Sequence, residues 1–133
     1  MKEKILKYWF DAYNRRDFSS VQQIYADDAV IHGTGGPYYG GKAVVSLLKI
    51  WLEGIPDAQI IPLFTMKEDN DVVVVHWRAE GTFKGPVRDI PPTGEKVAFH
   101  GFTCFRCRDD KIIEHYACID YHPLQPTVSL SGE

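Results

Sequence analysis

Apolar residues fall into two rhythms along this chain, and the rhythm changes at Gly54. From Lys2 to Arg16, Ile5, Leu6, Trp9, Phe10 and Tyr13 recur every three to four positions, as on one face of an α-helix. Phe18–Tyr25 fits a second helix, with Asp17 as N-cap and Val21 and Ile24 turned inward. Asp27-Asp28 then interrupts the pattern before a short strand, Ala29–His32. The glycine-rich run Gly33–Gly41 reads as a turn. Its Gly41-Lys42 pair lacks both the spacing and the trailing hydroxyl of a phosphate loop. A third helix spans Lys42–Glu53, with Val44, Leu47, Leu48 and Trp51 inward and Gly54 as its stop.

Beyond Gly54 the period drops to two. Ala58–Thr65 and Val72–Gly81 flank a polar turn at Lys67–Asp71, and the run Val72–Val75 suits a strand covered on both faces. A loop, Thr82–Gly94, carries Gly85-Pro86 and Pro91-Pro92. A final hairpin pairs Val97–Cys107 with Ile112–Tyr121 around Asp109-Asp110. A three-residue loop there makes facing positions sum to 220, which sets Arg106 opposite Glu114 and His100 opposite Asp120. Both are matches that cross-strand packing favours. A two-residue loop shifts the register by one. Helices followed by an antiparallel sheet define an α+β class.

Size and charge narrow the function classes. The 133 residues suit a single domain over 1–122, with a loosely ordered tail over 123–133. A net charge of -3 without a basic cluster argues against nucleic-acid binding. No apolar run reaches the roughly 20 residues that span a bilayer. Three cysteines, an odd number, beside an amphipathic N-terminus read as reduced thiols in a cytoplasmic protein. No metal site emerges. Cys104-x-x-Cys107 places its thiols on opposite strand faces, and the five histidines show no metal-binding spacing.

Several residues carry potential chemistry. Asp120 stands among Cys118, Ile119 and Tyr121, an apolar setting that raises a buried carboxyl toward the range useful for proton transfer. The plainer alternative is an acid that caps the strand end near Pro123. His100, facing it, either orients that carboxylate or serves as a structural histidine. His32 follows Ala29-Val30-Ile31, either at a pocket mouth or in solvent. His76 and Arg78 share one side of their strand with Trp77 on the other; facing the cavity they could polarise a carbonyl, and facing out they would be surface or dimer-interface residues. Among the aromatics, Trp51, Phe102 and Tyr116 are candidate ligand walls.

Taken together, the motifs resemble a known family. They are Tyr25-Ala26-Asp27-Asp28-Ala29-Val30-Ile31-His32, Tyr39-Gly40-Gly41-Lys42, Gly81-Thr82-Phe83-Lys84-Gly85, Ile90-Pro91-Pro92-Thr93-Gly94 and Asp110-Lys111-Ile112-Ile113-Glu114, in that order. The chain resembles the SnoaL-like polyketide cyclases of the NTF2-like superfamily. That resemblance implies a cone of three helices packed in a strongly curved antiparallel sheet, around a deep apolar pocket, with frequent homodimerisation through the sheet. It implies cofactor-independent acid/base chemistry, such as aldol-type cyclisation, isomerisation or hydrolysis, on an apolar small molecule. Asp120 sits where the family's general acid/base is expected, with His100 as partner. His32, Trp51, Phe83, Phe102, Arg106 and Tyr116 would bind substrate. Phe83 stands where the family often has histidine, adding apolar wall, and the Thr82–Gly94 loop would form a rim or partial lid with a mobile Val87–Ile90. Non-catalytic ligand binding and protein docking stay open as alternatives.

Overall fold

The two rhythms become three helices and one sheet in a computed structural model that describes residues 2–33, 36–68 and 71–125. Residues 34–35 of the glycine-rich turn, 69–70 of the polar turn, and the tail beyond Gln125 lie outside the described residues. The elements are α1 (Lys2–Asn14), α2 (Phe18–Gln23), β1 (Tyr25–His32), β2 (Tyr38–Tyr39), α3 (Gly40–Gly54), β3 (Gln59–Glu68), β4 (Val72–Thr82), β5 (Lys96–Arg108) and β6 (Lys111–Asp120).

Each helix begins and docks for local reasons. Asp17 caps α2, its carboxylate accepting from the Ser20 backbone N–H at 3.2 Å and the Ser20 hydroxyl at 2.6 Å. α1 buries Ile5, Leu6, Trp9, Phe10 and Tyr13, and each large apolar side chain contributes about 1.5–3 kcal/mol on burial. Its last residue, Asn14, clamps the β3 backbone. The amide donates to Ile60 O at 2.9 Å and accepts from Ile60 N at 2.8 Å. Two hydrogen bonds through one side chain fix the helix end against the sheet edge.

The strands lie in the order β2-β1-β6-β5-β4-β3 and curve around the helices without closing. Their inner face carries Val73, Val75 and Trp77 of β4, Phe99 and Phe105 of β5, and Ile112 of β6, all buried against α1 and α3. The sheet is mixed rather than wholly antiparallel, because β1 runs parallel to β6. A strand's period reveals its faces but not its partner, and a parallel pair needs a long connection. Here that connection is most of the domain.

The final hairpin has the facing pairs expected, by a different route. His100 faces Asp120 and Arg106 faces Glu114, but Cys107 faces Ile112. The turn is therefore two residues long. Asp109 and Asp110 both take left-handed backbone, with φ of 52° and 64°, which this turn type requires and aspartate tolerates. The extra residue is Ile113 in β6, a bulge that restores the 220 register.

The Thr82–Gly94 loop is pinned at both ends. Lys84 N and Gly85 N donate to Gly54 O at 2.8 and 3.0 Å. Phe83 is fully buried and pairs by backbone with Glu95 and Gly94. The Val87–Ile90 segment, expected to be mobile, forms a tight turn. Val87 and Ile90 are buried and exchange hydrogen bonds at 3.1 and 2.9 Å. Only Arg88 and Asp89 project from it.

Candidate active site

Between the helices and the inner sheet face lies a cavity of about 280 Å³. Its walls are mostly aromatic and aliphatic, with Trp9, Phe10, Trp51, Trp77 and Phe105 prominent. All three tryptophans of the chain line it. Trp77 lies across Gly101, where a Cβ would sit 2.5 Å from its Cζ2 and 2.7 Å from Cys118 O. The absence of a side chain at Gly101 thus lets the indole settle with Nε1 donating to Thr103 Oγ1 at 2.9 Å.

The most unusual group in the cavity is His115. It is buried on the inner face of β6, between Ile112 and Ala117 in the alternation. Its Nδ1 lies 2.8 Å from Tyr25 Oη, which also accepts from Trp9 Nε1 at 2.9 Å. With one indole N–H already received, donors and acceptors balance fully when the Tyr25 hydroxyl donates to Nδ1. The imidazole proton then resides on Nε2. Among the described residues, Tyr13 Oη is the one fully enclosed side-chain oxygen or nitrogen without a partner. With Nδ1 taken by Tyr25, Nε2 is the ring nitrogen left over, on a residue that lines the cavity. Burial, and secondarily the charge of His32, lower the His115 pKa from 6.5 to about 4. At neutral pH the site holds a neutral hydrogen-bond donor. Burial likewise pushes the Tyr25 hydroxyl well above the ordinary phenol range.

His32, at the end of β1, contributes to the cavity rim, but its ring turns to the outer sheet face beside its strand partner Tyr116. Its Nε2 is 3.2 Å from Glu114 Oε2, and its ring stacks on Tyr116 at 4.1 Å. Glu114 further accepts from Tyr116 Oη at 2.9 Å and Arg106 Nε at 3.0 Å. The Tyr116 hydroxyl, with help from Arg106 and His32, holds this carboxyl below the usual range. Trp51, expected as a wall, is one, its Nε1 donating to Tyr121 Oη at 3.0 Å.

The other expected site residues lie elsewhere. Asp120 and His100 do meet, with Oδ2 3.4 Å from Nε2, but on the outer sheet face with side chains 49% and 46% exposed. The apolar burial expected for Asp120 is absent. Its other oxygen accepts from His122 N at 3.0 Å, so it caps the turn after β6. His100 Nδ1 is 2.9 Å from His76 Nε2, and His76 stacks on Phe102 at 4.4 Å, all on that outer face. Arg106 and Tyr116 are exposed there too. Phe83 is core rather than cavity wall. Of the two settings left open for His76 and Arg78, the structure has the outward one.

The fold has known counterparts. A family model described as SnoaL-like polyketide cyclase matches residues 3–126. The chain belongs to the SnoaL-like polyketide cyclase family. This SnoaL-like chain is similar to AclR, a candidate hydroxylase from Streptomyces galilaeus, at 26% identity and a TM-score of 0.80 over 92% of this chain and 90% of that one. It shares its fold with IdmH, a candidate polyketide cyclase from Streptomyces antibioticus, at 23% identity and a TM-score of 0.79 over 92% and 94% of the two chains. The same holds for a candidate SnoaL-like polyketide cyclase from Jannaschia sp. CCS1, at 20% identity and a TM-score of 0.80 over 93% and 92%. No curated protein matches the chain by sequence. No described helix is long and apolar enough to cross a membrane.

Sequence reasoning missed His115 as a polar group of the cavity in this SnoaL-like chain, and Tyr25 as its partner, although one signal existed. In a strand, a residue's environment comes from positions two away, not from its neighbours. Cys118, Ile119 and Tyr121 sit beside Asp120 in sequence, but Ile119 and Tyr121 belong to the opposite face. The same parity places His115 with Ala117 and Ile119, on the apolar side.

Proposed function

We propose that the protein catalyses proton transfer at a carbon next to a carbonyl group in an apolar small molecule bound in this cavity. Aldol-type cyclisation and isomerisation both begin with that step. The observation that carries the reading is His115, a neutral donor whose Nδ1 is occupied and whose Nε2–H is left for a ligand. A fixed donor aimed at a carbonyl oxygen stabilises the negative charge that forms when the adjacent carbon loses a proton. A neutral imidazole suits that role, because it donates without first binding a proton. Tyr25 positions it. The carbon–hydrogen bond breaks, its electron pair moves into the enolate, and a hydroxide or water at the cavity mouth takes the proton. The His32 ring, held by Glu114 and Tyr116 on the outer face, stays at the rim.

Hydrogen–deuterium exchange at the methyl group of 2-acetylnaphthalene in D₂O, followed by NMR, tests this. The wild type should accelerate exchange, His115→Gln should lose most of the acceleration, and Asp120→Asn should keep it. Loss in Asp120→Asn with retention in His115→Gln would reverse the assignment.

A second reading concerns assembly. The outer sheet face exposes Ile61, Phe64, Met66 and Phe102 in adjoining strands. Exposed apolar area of this kind favours a homodimer through that face, which would cover His76, His100 and Asp120.

A further inference from the structure

The cavity has one permanently charged wall residue. Among the described residues that line it, Arg88 is the only lysine, arginine, aspartate or glutamate. It reaches the cavity from the tip of the Val87–Ile90 turn, with a left-handed φ of 54°. A bulky residue without a glycine's freedom is strained in that region, and holds it only where the surroundings dictate it. They do so here. Val87 and Ile90 are buried on either side of the tip and hydrogen-bonded to each other. Among the described residues, no carboxylate lies within ion-pair distance of the guanidinium. The other arginines with ion pairs, Arg78 and Arg106, are on the outer face.

We infer that the ligand of this cavity carries an anionic group, a carboxylate in the simplest case, and that Arg88 recognises it. The inference rests on the cavity being the ligand site, as proposed above, but not on any reaction there. An apolar body would fill the aromatic walls. A carboxylate at one end would take the planar, two-pronged hydrogen bonding that a guanidinium offers and an ammonium does not. Arg88 would then choose among apolar ligands of one shape by their charge. Its backbone is already fixed, so little ordering would be lost on binding.

The test compares two flat probes that differ only in charge, 2-naphthoate and 2-naphthamide. Binding is followed through the indole N–H signals of Trp9, Trp51 and Trp77 in ¹H–¹⁵N spectra. In the wild type, naphthoate should bind about tenfold tighter, and added salt should erode the difference. Arg88→Gln should equalise the two probes by weakening naphthoate alone, and Arg88→Lys should restore part of the preference. Equal affinities in the wild type, or a preference that survives in Arg88→Gln, would overturn the role of Arg88 while leaving the cavity as a ligand site. If neither probe moves the indole signals, both the role of Arg88 and the cavity reading fail.

Discussion

Replacing His115 with glutamine removes a titrating group while leaving an acceptor for the Tyr25 hydroxyl. In the folded protein His115 takes up its proton only near pH 4, whereas the unfolded chain does so near 6.5. Between those values the unfolded state holds more protons, so stability is lost as pH falls through the window. The full difference is about 3 kcal/mol, of which about 2 kcal/mol falls between pH 7 and pH 5. Urea unfolding at closely spaced pH values, followed by tryptophan emission, measures it for both proteins. The stability of the wild type relative to His115→Gln should decline by about 2 kcal/mol over that interval. Glu114, Asp17 and Asp57 have lowered pKa values in the folded state and are present in both proteins, so their losses at lower pH cancel in the difference. A constant difference from pH 7 to pH 5 would mean that His115 charges freely in the folded state. The neutral-donor assignment would then fail.

Tyr25→Phe should destabilise by about 2–4 kcal/mol in the same urea assay, because it leaves the buried Trp9 N–H and His115 Nδ1 without partners. Gly101→Ala should cost about 1–3 kcal/mol and alter the near-ultraviolet circular dichroism of Trp77, since the new methyl has no room beside that ring. The apolar outer face predicts a dimer in sedimentation equilibrium. Paired Phe64→Asp and Phe102→Asp substitutions should return it to monomer without loss of secondary structure. A wild type that sediments only as a monomer would remove the dimer reading.

Much of the fold was legible because period is local. Trp9 and Phe10 on α1, or Val73 and Val75 on β4, announce helix and strand without reference to anything distant. The Arg106–Glu114 and His100–Asp120 matches also carried the hairpin register, since opposite charges on facing positions are local once a turn is located. The bulge at Ile113 was invisible, because one extra residue and a shorter turn yield the same sum. The β1–β6 pairing was invisible too, being a contact between chain segments about ninety residues apart. Within the site, His32 and Trp51 were found and His115 was not. Its position depends on which strand face is concave, and that is decided by where α1 and α3 pack. Arg88 gave no signal, since an arginine between two prolines reads as a solvated loop until the burial of Val87 and Ile90 fixes the tip.

The central claim is that a ligand's carbonyl oxygen docks on His115 Nε2–H inside the cavity. Long-range ¹H–¹⁵N spectra of the imidazole rings at pH 7, with and without 2-acetylnaphthalene, test it most directly. The account predicts a neutral His115 protonated at Nε2, whose Nε2 signals shift when the ketone binds while those of His76 and His100 stay in place. Unchanged His115 signals with a bound ketone, or shifts confined to His76 and His100, would contradict it.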